Sequence, residues 1–317
     1  MYQVAIIGAG QLGSRHLQGL KSASSPLSIT VVDSSEASLV TARARYEAVP
    51  CIGEKTARFV SGMEQLPSEL DLVIVATGSM PRASIVRSLL NSCSVRYLIL
   101  EKILFPRLAE YEVVGALLKE KGVKCWVNCP RRMFGLYREI REELDPSVPV
   151  VISMQNKDWG LCCNGIHFID LMMFLTDADS FLIQTDGLHR VIHESKRGGY
   201  IEMTGSLQII TPSGDRMTLV SETDFSGEPG IVICNGKTVF EVDEVAGKVV
   251  RNGCSFPVRI PYQSQLTGLV TDLLFLTGSC LLTPFELSAK YHRIYIGSLL
   301  PVYNEIRGEE CDILPIT

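Results

Sequence analysis

The sequence predicts an α/β protein with two domains. The first is a parallel sheet covered by helices, and the second is an α+β domain with a large, mostly antiparallel sheet. Apolar β-branched runs alternate with helical patterns from Met1 to about Val123, as in parallel sheets with helices on both faces. A glycine-rich turn follows the first of these runs. After about residue 150, runs rich in Val, Ile and Thr are separated by turns such as Pro212-Ser213-Gly214-Asp215, which indicates antiparallel hairpins.

The first strand and the first helix are joined by the sequence GAGQLG at residues 8–13. Gly8 permits the tight turn out of the strand, Gly10 lets a pyrophosphate approach the backbone, and Gly13 lets the helix pack close to the sheet. The helix N-terminus adds free N–H groups and positive potential. This motif predicts an N-terminal Rossmann dinucleotide-binding domain. The other predicted cofactor contacts in the loop are Gln11 and Leu12.

A second apolar run, residues 28–32, ends in Asp33, 20 residues after Gly13. An acidic side chain at this distance accepts hydrogen bonds from the adenosine ribose. Ser34 and Ser35 follow, and no adjacent arginine is present to bind a 2′-phosphate. The sequence therefore favours NAD over NADP as the cofactor, although serines can also hold a phosphate.

Two later strands end in polar residues that belong at the same edge of the sheet. Residues 71–76 lead to Thr77 and Gly78, and residues 97–100 lead to Glu101 and Lys102. Because open α/β sheets bind ligands at the carboxyl ends of their strands, Thr77 and Gly78 are also predicted to contact the cofactor.

Composition excludes several functional classes. Charged residues are 21% of the chain and the formal net charge is −5, so neither disorder nor nucleic-acid binding is indicated. No apolar run approaches ~20 residues, and the first strand begins at Val4, so a cytoplasmic protein without a membrane partner is expected. The ten cysteines form no C-x-x-C pair, so they are expected to be reduced and no metal site is predicted.

The predicted domains are residues 1–125, which bind the dinucleotide, and residues 126–317, which bind the substrate and form oligomers. Helices are expected at residues 164–175, 261–277 and 284–305, and the last of them is predicted to pack back on the first domain.

Several motifs together resemble the Gfo/Idh/MocA family, the glucose–fructose oxidoreductases, inositol dehydrogenases and their relatives. Residues 8–16 match the family's G-x-G-x-x-G-x-x-H, and Glu101-Lys102 match the first two residues of its E-K-P motif. Residues 127–133 are similar to its stretch ending in Arg-Arg-Phe, and Gly165-x-His167-x-x-Asp170 matches part of its D-x-G-x-H-x-x-D helix. The similarity covers nearly the whole chain.

The resemblance implies hydride transfer between a nicotinamide and a hydroxyl-bearing carbon, usually of a sugar or cyclitol. Lys102 would lie beside the reacting oxygen, His167 would act as acid/base or as its partner, and Glu101 would contact the nicotinamide ribose. Removing hydride from a carbinol requires loss of the hydroxyl proton, and a nearby cation stabilises the developing alkoxide. The resemblance also implies a homodimer or homotetramer.

Two departures from the family's pattern concern this site. Ile103 stands where the family has a proline that commonly follows a cis bond. A cis peptide bond before a residue other than proline costs about 2.5–4 kcal/mol. The loop carrying Lys102 is therefore expected to bend differently from that of the family. The family's helix-entry aspartate falls on Cys163, which cannot hold a proton as a carboxylate does. Asp170 is a candidate to orient the imidazole of His167, but it can equally cap the helix or face solvent.

Other polar residues are predicted to contact the substrate. Arginine forks bind carboxylate or phosphate, so a nucleotide-sugar or an acidic sugar suits Arg131 and Arg132, unless they lie in a solvated loop. Trp159 is expected either to stack on a sugar or to pack in the core, and His16 is expected to pack. The remaining predicted substrate contacts are Asn128 and Asn164.

The leading hypothesis is therefore an NAD(P)-dependent dehydrogenase acting on a sugar or nucleotide-sugar, with a place in surface polysaccharide synthesis suggested by similar sequences. Two alternatives stay open. One is a non-catalytic relative that binds the dinucleotide as a sensor or structural ligand, because one catalytic carboxylate is missing. The other is a reductase of a non-sugar substrate, such as an imine or a tetrapyrrole.

Overall fold

The computed structural model describes all residues from Met1 to Thr317. It contains seventeen β-strands and eight α-helices. The strands are, in chain order, β1 (Tyr2–Ile7), β2 (Leu27–Val32), β3 (Lys55–Val60), β4 (Glu69–Val75), β5 (Ser94–Leu100), β6 (Lys124–Val127), β7 (Val150–Lys157), β8 (Leu182–Gln184), β9 (His193–Glu194), β10 (Ile201–Glu202), β11 (Gly205–Ile210), β12 (Arg216–Glu222), β13 (Gly230–Asn235), β14 (Thr238–Asp243), β15 (Lys248–Arg251), β16 (Cys254–Pro257) and β17 (Thr283–Pro284).

The helices are α1 (Gln11–Leu20), α2 (Glu36–Glu47), α3 (Ser79–Ser92), α4 (Leu108–Glu120), α5 (Gly135–Glu143), α6 (Leu161–Thr176), α7 (Gln263–Thr277) and α8 (Phe285–Arg307). Short 3-10 turns occur at Met63–Gln65 and Pro130–Met133. None of the helices combines the length and the apolar character needed to cross a bilayer.

The first compact unit comprises Met1–Phe105, Ala109–Pro130 and Pro261–Glu286. Its sheet has the order β17-β6-β5-β4-β1-β2-β3. Every pair is parallel except β17 with β6. From β3 to β6 this is the strand order of a Rossmann fold, so the predicted fold of the N-terminal domain is confirmed.

The central strands of this sheet are continuous apolar runs because helices cover both faces. Val4–Ile7 in β1 and Leu72–Val75 in β4 are fully or almost fully buried. Strand β3 was not predicted. It lies at the edge of the sheet, all six of its side chains are at least partly exposed, and Lys55 and Arg58 interrupt its apolar character.

The second compact unit comprises Pro106–Leu108, Arg131–Ile260 and Leu287–Thr317. Its large sheet has the order β16-β15-β14-β13-β7-β12-β11-β8. All neighbours are antiparallel except β7 with β12. This confirms the predicted α+β domain with a mostly antiparallel sheet.

One face of the large sheet forms the core of this unit. Burial alternates along β7, β12, β13 and β14, and α6 packs against β12. Alternating side chains point to opposite faces of a strand, so the pattern places Ile152, Leu219 and Ile233 on the buried face.

The structure corrects several element bounds. The pattern of residues 201–211, rich in Ile and Thr, predicts one strand, but the structure has two, β10 and β11, and Gly205, the first residue of β11, has a φ of +108°. The pattern of residues 188–194 also predicts a strand; in the structure β9 pairs with β10, and Leu188 forms an isolated bridge with Gly205. Helix α6 begins at Leu161, three residues before the predicted start at residue 164. The domain bounds at residues 125 and 126, and the packing of the last helix on the first domain, stay predictions.

Candidate functional site

In the glycine loop between β1 and α1, two of the three glycines leave no room for a side chain. Gly8 has a φ of +96°, and a Cβ there would lie 3.0 Å from the backbone of Ala76 and Thr77. A Cβ on Gly13 would overlap the carbonyl oxygen of Gly8. At Gly10, by contrast, no heavy atom lies within 4 Å of the Cβ position, and no side chain caps the helix that starts at Gln11. The loop therefore forms an open cradle lined by backbone at a helix N-terminus, which fits a diphosphate.

Asp33 lies directly beside this loop. Its Oδ2 accepts a hydrogen bond from the backbone N–H of Ala9 at 2.7 Å, and its Oδ1 accepts one from Ser35 N–H at 2.8 Å. Ser34 is exposed, and Ser35 caps α2 by accepting from Ser38 N–H. These bonds hold the carboxylate at the end of β2, next to the glycine loop.

Thr77 follows β4 on the other side of the loop. Its Oγ1 is buried and has no hydrogen-bond partner within the protein. Buried hydroxyls are normally hydrogen-bonded, so this atom indicates that a ligand completes the site. Gly78 is the N-cap of α3 and, like Gly10, carries no capping side chain. The residues present therefore fit a dinucleotide.

Glu101 is the centre of a buried polar cluster in the first unit. The residue is 2% exposed. Its Oε1 lies 2.8 Å from Nε2 of His16 and accepts a hydrogen bond from the Asn128 amide at 2.6 Å. The same amide donates to Oε1 of Gln263, and the Nδ1 of His16 lies 3.0 Å from Oγ1 of Thr267.

In this cluster, His16 and Asn128 make contacts that were not predicted from the sequence. His16 packs, as expected, but it also makes hydrogen bonds at both ring nitrogens. Asn128, predicted to contact substrate, uses its amide donors on Glu101 and Gln263. Gln263 and Thr267 were missed, because nothing local in the sequence links α7 to residue 101.

Lys102 follows Glu101 and is partly exposed. The peptide bond between Lys102 and Ile103 is cis, which corrects the expectation of a differently bent loop. Ile103, Leu104 and Phe105 are fully buried.

Arg82 was also missed. It lies on α3, its side chain is fully buried, and its guanidinium binds backbone carbonyls of residues 77, 103 and 104. A signal was present in the sequence: Arg82 occupies the helix face of Val86 and Leu89, both of which are buried, so the helical period places a charged residue on the apolar side.

In the second unit, His167 and Asn164 lie on α6. Asn164 donates from Nδ2 to the carbonyl of Trp159 at 2.9 Å, and His167 is partly exposed. The start of the helix is held by Glu202 of β10, which accepts from Cys162 N–H at 2.8 Å and from Cys163 N–H at 3.0 Å. Glu202 was missed because it is distant in sequence from the helix that it caps.

The environment of Cys162 follows from this cap. Burial raises the pKa of the Cys162 thiol, and the neighbouring Glu202 charge raises it further. The thiol therefore remains protonated at neutral pH.

Among the described residues, no group of three or more potential ligands is placed to hold a metal ion.

The two predicted substrate arginines each form a salt bridge with a carboxylate in the second unit. Arg131 binds Glu244 through two hydrogen bonds of 2.8 and 2.7 Å and lies over the ring of Phe168. Arg132 binds Asp170 through bonds of 2.9 and 3.1 Å. Neither arginine belongs to a solvated loop, since their side chains are 18% and 12% exposed.

Asp170 and Trp159 are placed by the same packing. Asp170 is 1% exposed, so the alternative in which it faces solvent is wrong. Trp159 is half-buried, donates from Nε1 to the carbonyl of Val220 at 2.7 Å, and packs edge-on against Phe168. Its indole is thus part of the packing around α6.

Comparison with known proteins agrees with the loop geometry. Residues 2–129 match the family model of Gfo/Idh/MocA, described as an oxidoreductase family with an NAD-binding Rossmann fold. The resemblance noted in the sequence is confirmed over these residues, and so is the expectation of an NAD-binding domain. No curated protein matches the chain by sequence.

Solved structures resemble the chain over most of its length. A UDP-N-acetylglucosamine 3-dehydrogenase, GnnA, from Acidithiobacillus ferrooxidans is 12% identical, with a TM-score of 0.72 over 94% of this chain and 96% of that chain. An oxidoreductase from Agrobacterium radiobacter, in complex with NAD+, L-tartaric acid and magnesium, is 13% identical, with a TM-score of 0.70 over 96% and 97%.

A third solved structure carries a different substrate. The biliverdin reductase from Synechocystis sp. PCC 6803, in complex with biliverdin and NADP+, is 15% identical, with a TM-score of 0.67 over 94% of this chain and 97% of that chain. At these identities the similarity of all three structures concerns the fold alone.

Proposed function

We propose that this protein is an NAD-dependent dehydrogenase that transfers hydride between the nicotinamide and a hydroxyl-bearing carbon of a sugar or nucleotide-sugar. The observation that carries the proposal is the arrangement of three neighbouring strands. Strands β1, β4 and β5 are adjacent and parallel, so the glycine loop, Thr77 and Glu101-Lys102 follow them at one edge of the sheet. Ligands of such sheets bind at this edge.

The chain's own residues have distinct proposed roles. The open cradle at Gly10 would receive the diphosphate, and Asp33 would accept hydrogen bonds from the adenosine ribose. Since Asp33 is an anion beside the loop, it disfavours a 2′-phosphate, which supports NAD over NADP. When bound, the nicotinamide supplies the hydride acceptor or donor.

Lys102 is proposed to hold or exchange the proton of the reacting hydroxyl. Its ammonium would stabilise negative charge that develops on that oxygen. Positioned acid or base groups of this kind contribute roughly 10²–10⁴-fold to rate. Glu101, fixed by His16 and Asn128, is proposed to contact the nicotinamide ribose. In the second unit, His167 is proposed as the acid/base group.

We propose that the substrate contacts residues of the segment 127–133 and residues at the start of helix α6. In this proposal Arg131 and Arg132 keep their carboxylate partners. Because these carboxylates already offset the arginine charges, hydroxyl groups of the substrate suit them better than an additional anion. The other proposed substrate contacts are Asn128, Trp159 and Asn164.

The test combines binding with turnover. Calorimetry with NAD and with NADP measures both affinities, and tighter binding of NAD is expected. A panel of sugars and nucleotide-sugars is then screened for formation of reduced nicotinamide by absorbance. Lys102→Met should lower turnover by about 10²–10⁴-fold and leave the Kd for NAD within a factor of about two. Lys119→Met, which removes an exposed lysine of α4, is the matched control and should change neither quantity.

Each other outcome decides against the proposal. If NAD binds but no member of the panel is turned over, while biliverdin or an imine is reduced, the substrate class is wrong. If NAD binds and no substrate of either class reacts, the protein is a non-catalytic binder. If calorimetry detects neither dinucleotide, the cofactor assignment fails.

We also propose that the protein forms a homodimer or homotetramer through the outer face of the large sheet. Val151 is 48% exposed on this face, and its cross-strand neighbour Cys234 is partly exposed on the same side. Val232 and Val250 are partly exposed on the same face, on either side of Glu241. Size-exclusion chromatography with light scattering should give an oligomer, and Val151→Glu should shift it towards the monomer. A wild-type monomer would contradict this proposal.

A further inference from the structure

Arg82 is a fully buried arginine in α3 of the first unit. A guanidinium stays protonated in proteins, and burying a charge is costly unless it is hydrogen-bonded. The position of Arg82 therefore depends on the groups that it binds.

Those groups are backbone carbonyls from two separate segments. Nη1 donates to the carbonyl of Ile103 and, at 3.1 Å, to that of Leu104, while Nη2 donates to the carbonyl of Thr77. Thr77 follows β4, and Ile103 and Leu104 lie just beyond β5. One side chain thus connects the two loops that follow neighbouring strands.

Lys102 lies between anchored residues. On its N-terminal side, the Glu101 carboxylate is held by His16 and Asn128. On its C-terminal side, the next two carbonyls bind Arg82. The segment is held further along by Tyr111, whose hydroxyl donates to the carbonyl of Phe105 at 2.8 Å.

We propose that Arg82 is a positioning residue, which fixes the backbone of Lys102 relative to the Thr77 loop. This inference rests on the proposed function for its kinetic consequences, but its structural consequence does not. The planar fork of arginine presents several donors in fixed directions, whereas a lysine ammonium is a single point charge on a flexible stem. Arg82→Lys therefore keeps the positive charge but loses the fixed directions of the hydrogen-bond donors.

The first measurement needs no substrate. Hydrogen exchange followed by mass spectrometry should show residues 101–105 protected as strongly as β5 in the wild-type protein. Arg82→Lys and Arg82→Met should raise exchange there by about tenfold or more, with β1 unchanged. Arg87→Met and Arg87→Lys are the matched controls, because Arg87 is exposed on the same helix. Rapid exchange of residues 101–105 in the wild type would overturn the proposal even if the Arg82 variants fail to fold.

The second measurement follows the Lys102 amine directly. The rate of its acetylation, measured by peptide mass spectrometry as a function of pH, should change in Arg82→Lys and stay unchanged in Arg87→Lys. A role confined to stability would lower the Tm of Arg82→Lys and leave this profile as in the wild type, and that result would refute positioning.

Kinetics supply the third measurement once a substrate is known. Displacing a catalytic group by about 1 Å costs roughly 10²-fold in rate. Arg82→Lys should therefore lower kcat by about that factor, with less than about a twofold change in the KM for NAD. If the proposed activity fails, the exchange and acetylation results still decide the role of Arg82. If Arg82→Lys is as active as the wild type, the positioning role fails although the activity stands.

Discussion

The imidazole of His16 lies 2.8 Å from the carboxylate of Glu101, and both side chains are almost completely buried. His16 belongs to the helix that starts at the glycine loop, and Glu101 directly precedes Lys102. The pair therefore couples the cofactor loop to the loop of the proposed catalytic lysine. Nε2 of His16 faces the Glu101 carboxylate, and Nδ1 lies 3.0 Å from Oγ1 of Thr267.

His16→Ala should destabilise the protein strongly. The substitution removes a hydrogen-bond partner of the buried Glu101 side chain and leaves a cavity, and losing the partner of a buried polar group costs about 1–3 kcal/mol or more. Urea denaturation would measure this change in the free energy of unfolding. His193→Ala, at an exposed position of β9, should cost less than about 1 kcal/mol. Equal effects of the two substitutions would argue against a structural role for the pair.

The glycine loop permits a prediction that separates binding from folding. Gly10→Ala should leave the free energy of unfolding within about 0.5 kcal/mol, since no heavy atom lies within 4 Å of the new Cβ. It should nevertheless weaken NAD binding by about tenfold or more, equivalent to ~1.4 kcal/mol, because the methyl group occupies the cradle.

Gly13→Ala, by contrast, should lower the free energy of unfolding. Its Cβ would overlap the Gly8 carbonyl oxygen, and overpacking of this kind costs about 1–3 kcal/mol. Thermal unfolding and calorimetry of the two variants, measured side by side, test both statements. A Gly10→Ala protein that binds NAD as tightly as the wild type would contradict the cradle.

Restoring the family's aspartate should be unfavourable in this chain. Cys163→Asp would place a carboxylate near Glu202, which already accepts the Cys163 N–H, and near the carbonyl of Ile201. Like charges raise the pKa of an introduced acid. The expected loss is about 0.5–3 kcal/mol at pH 7, shrinking as pH falls and the new carboxyl is protonated in both states.

The controls for this prediction use the same two positions. Cys163→Ser adds no charge and should cost less than Cys163→Asp. In a Glu202→Gln background, Cys163→Asp should lower the free energy of unfolding by less, because one of the two charges is removed. Additive effects in this double-mutant cycle would show that the two side chains do not interact.

Cys280 provides a prediction about alkaline stability. Burial raises the pKa of this thiol to about 12, whereas an unfolded cysteine titrates near ~8.5. Above that pH the unfolded chain binds fewer protons than the folded one, so stability falls as pH rises. The free energy of unfolding should therefore decrease between about pH 9 and the folded pKa of about 12.

Cys280→Ala isolates this contribution from the buried tyrosines, which titrate in the same range. The difference in unfolding free energy between wild type and variant should change with pH above about 9 and be constant below it. A parallel pair of curves across the whole range would contradict the shifted pKa. In addition, exposed Cys51 should react with a thiol reagent before Cys280.

Much of the candidate site was predictable, because its signals are local. The spacing of Gly8, Gly10 and Gly13 defines a strand–turn–helix crossing, and Asp33 follows the next strand at a distance set by that crossing. The positions of Thr77 and Lys102 followed from the rule that such strands end at one edge. Edge strand β3 was missed because its lysine and arginine break the apolar pattern on which the prediction depended.

The salt bridges of the second unit were not predictable in this way. Arg131 and Arg132 are adjacent in sequence, but their partners, Glu244 and Asp170, are distant from them and from each other. Charge and residue type predicted contacts with an anionic substrate, and those contacts stay a prediction. Only the packing of the chain shows that protein carboxylates are the anions bound.

The amino-acid sequence by itself determined the Rossmann crossing and the acidic residue beside it, because strand and helix periods and the demands of a tight turn act over a few residues. The tertiary structure alone decided which groups surround Lys102: His16, Asn128 and Arg82 converge on its flanking residues from three different elements. Hydrogen bonds between segments far apart in the chain depend on how the sheet and helices pack, and residue spacing carries no record of them.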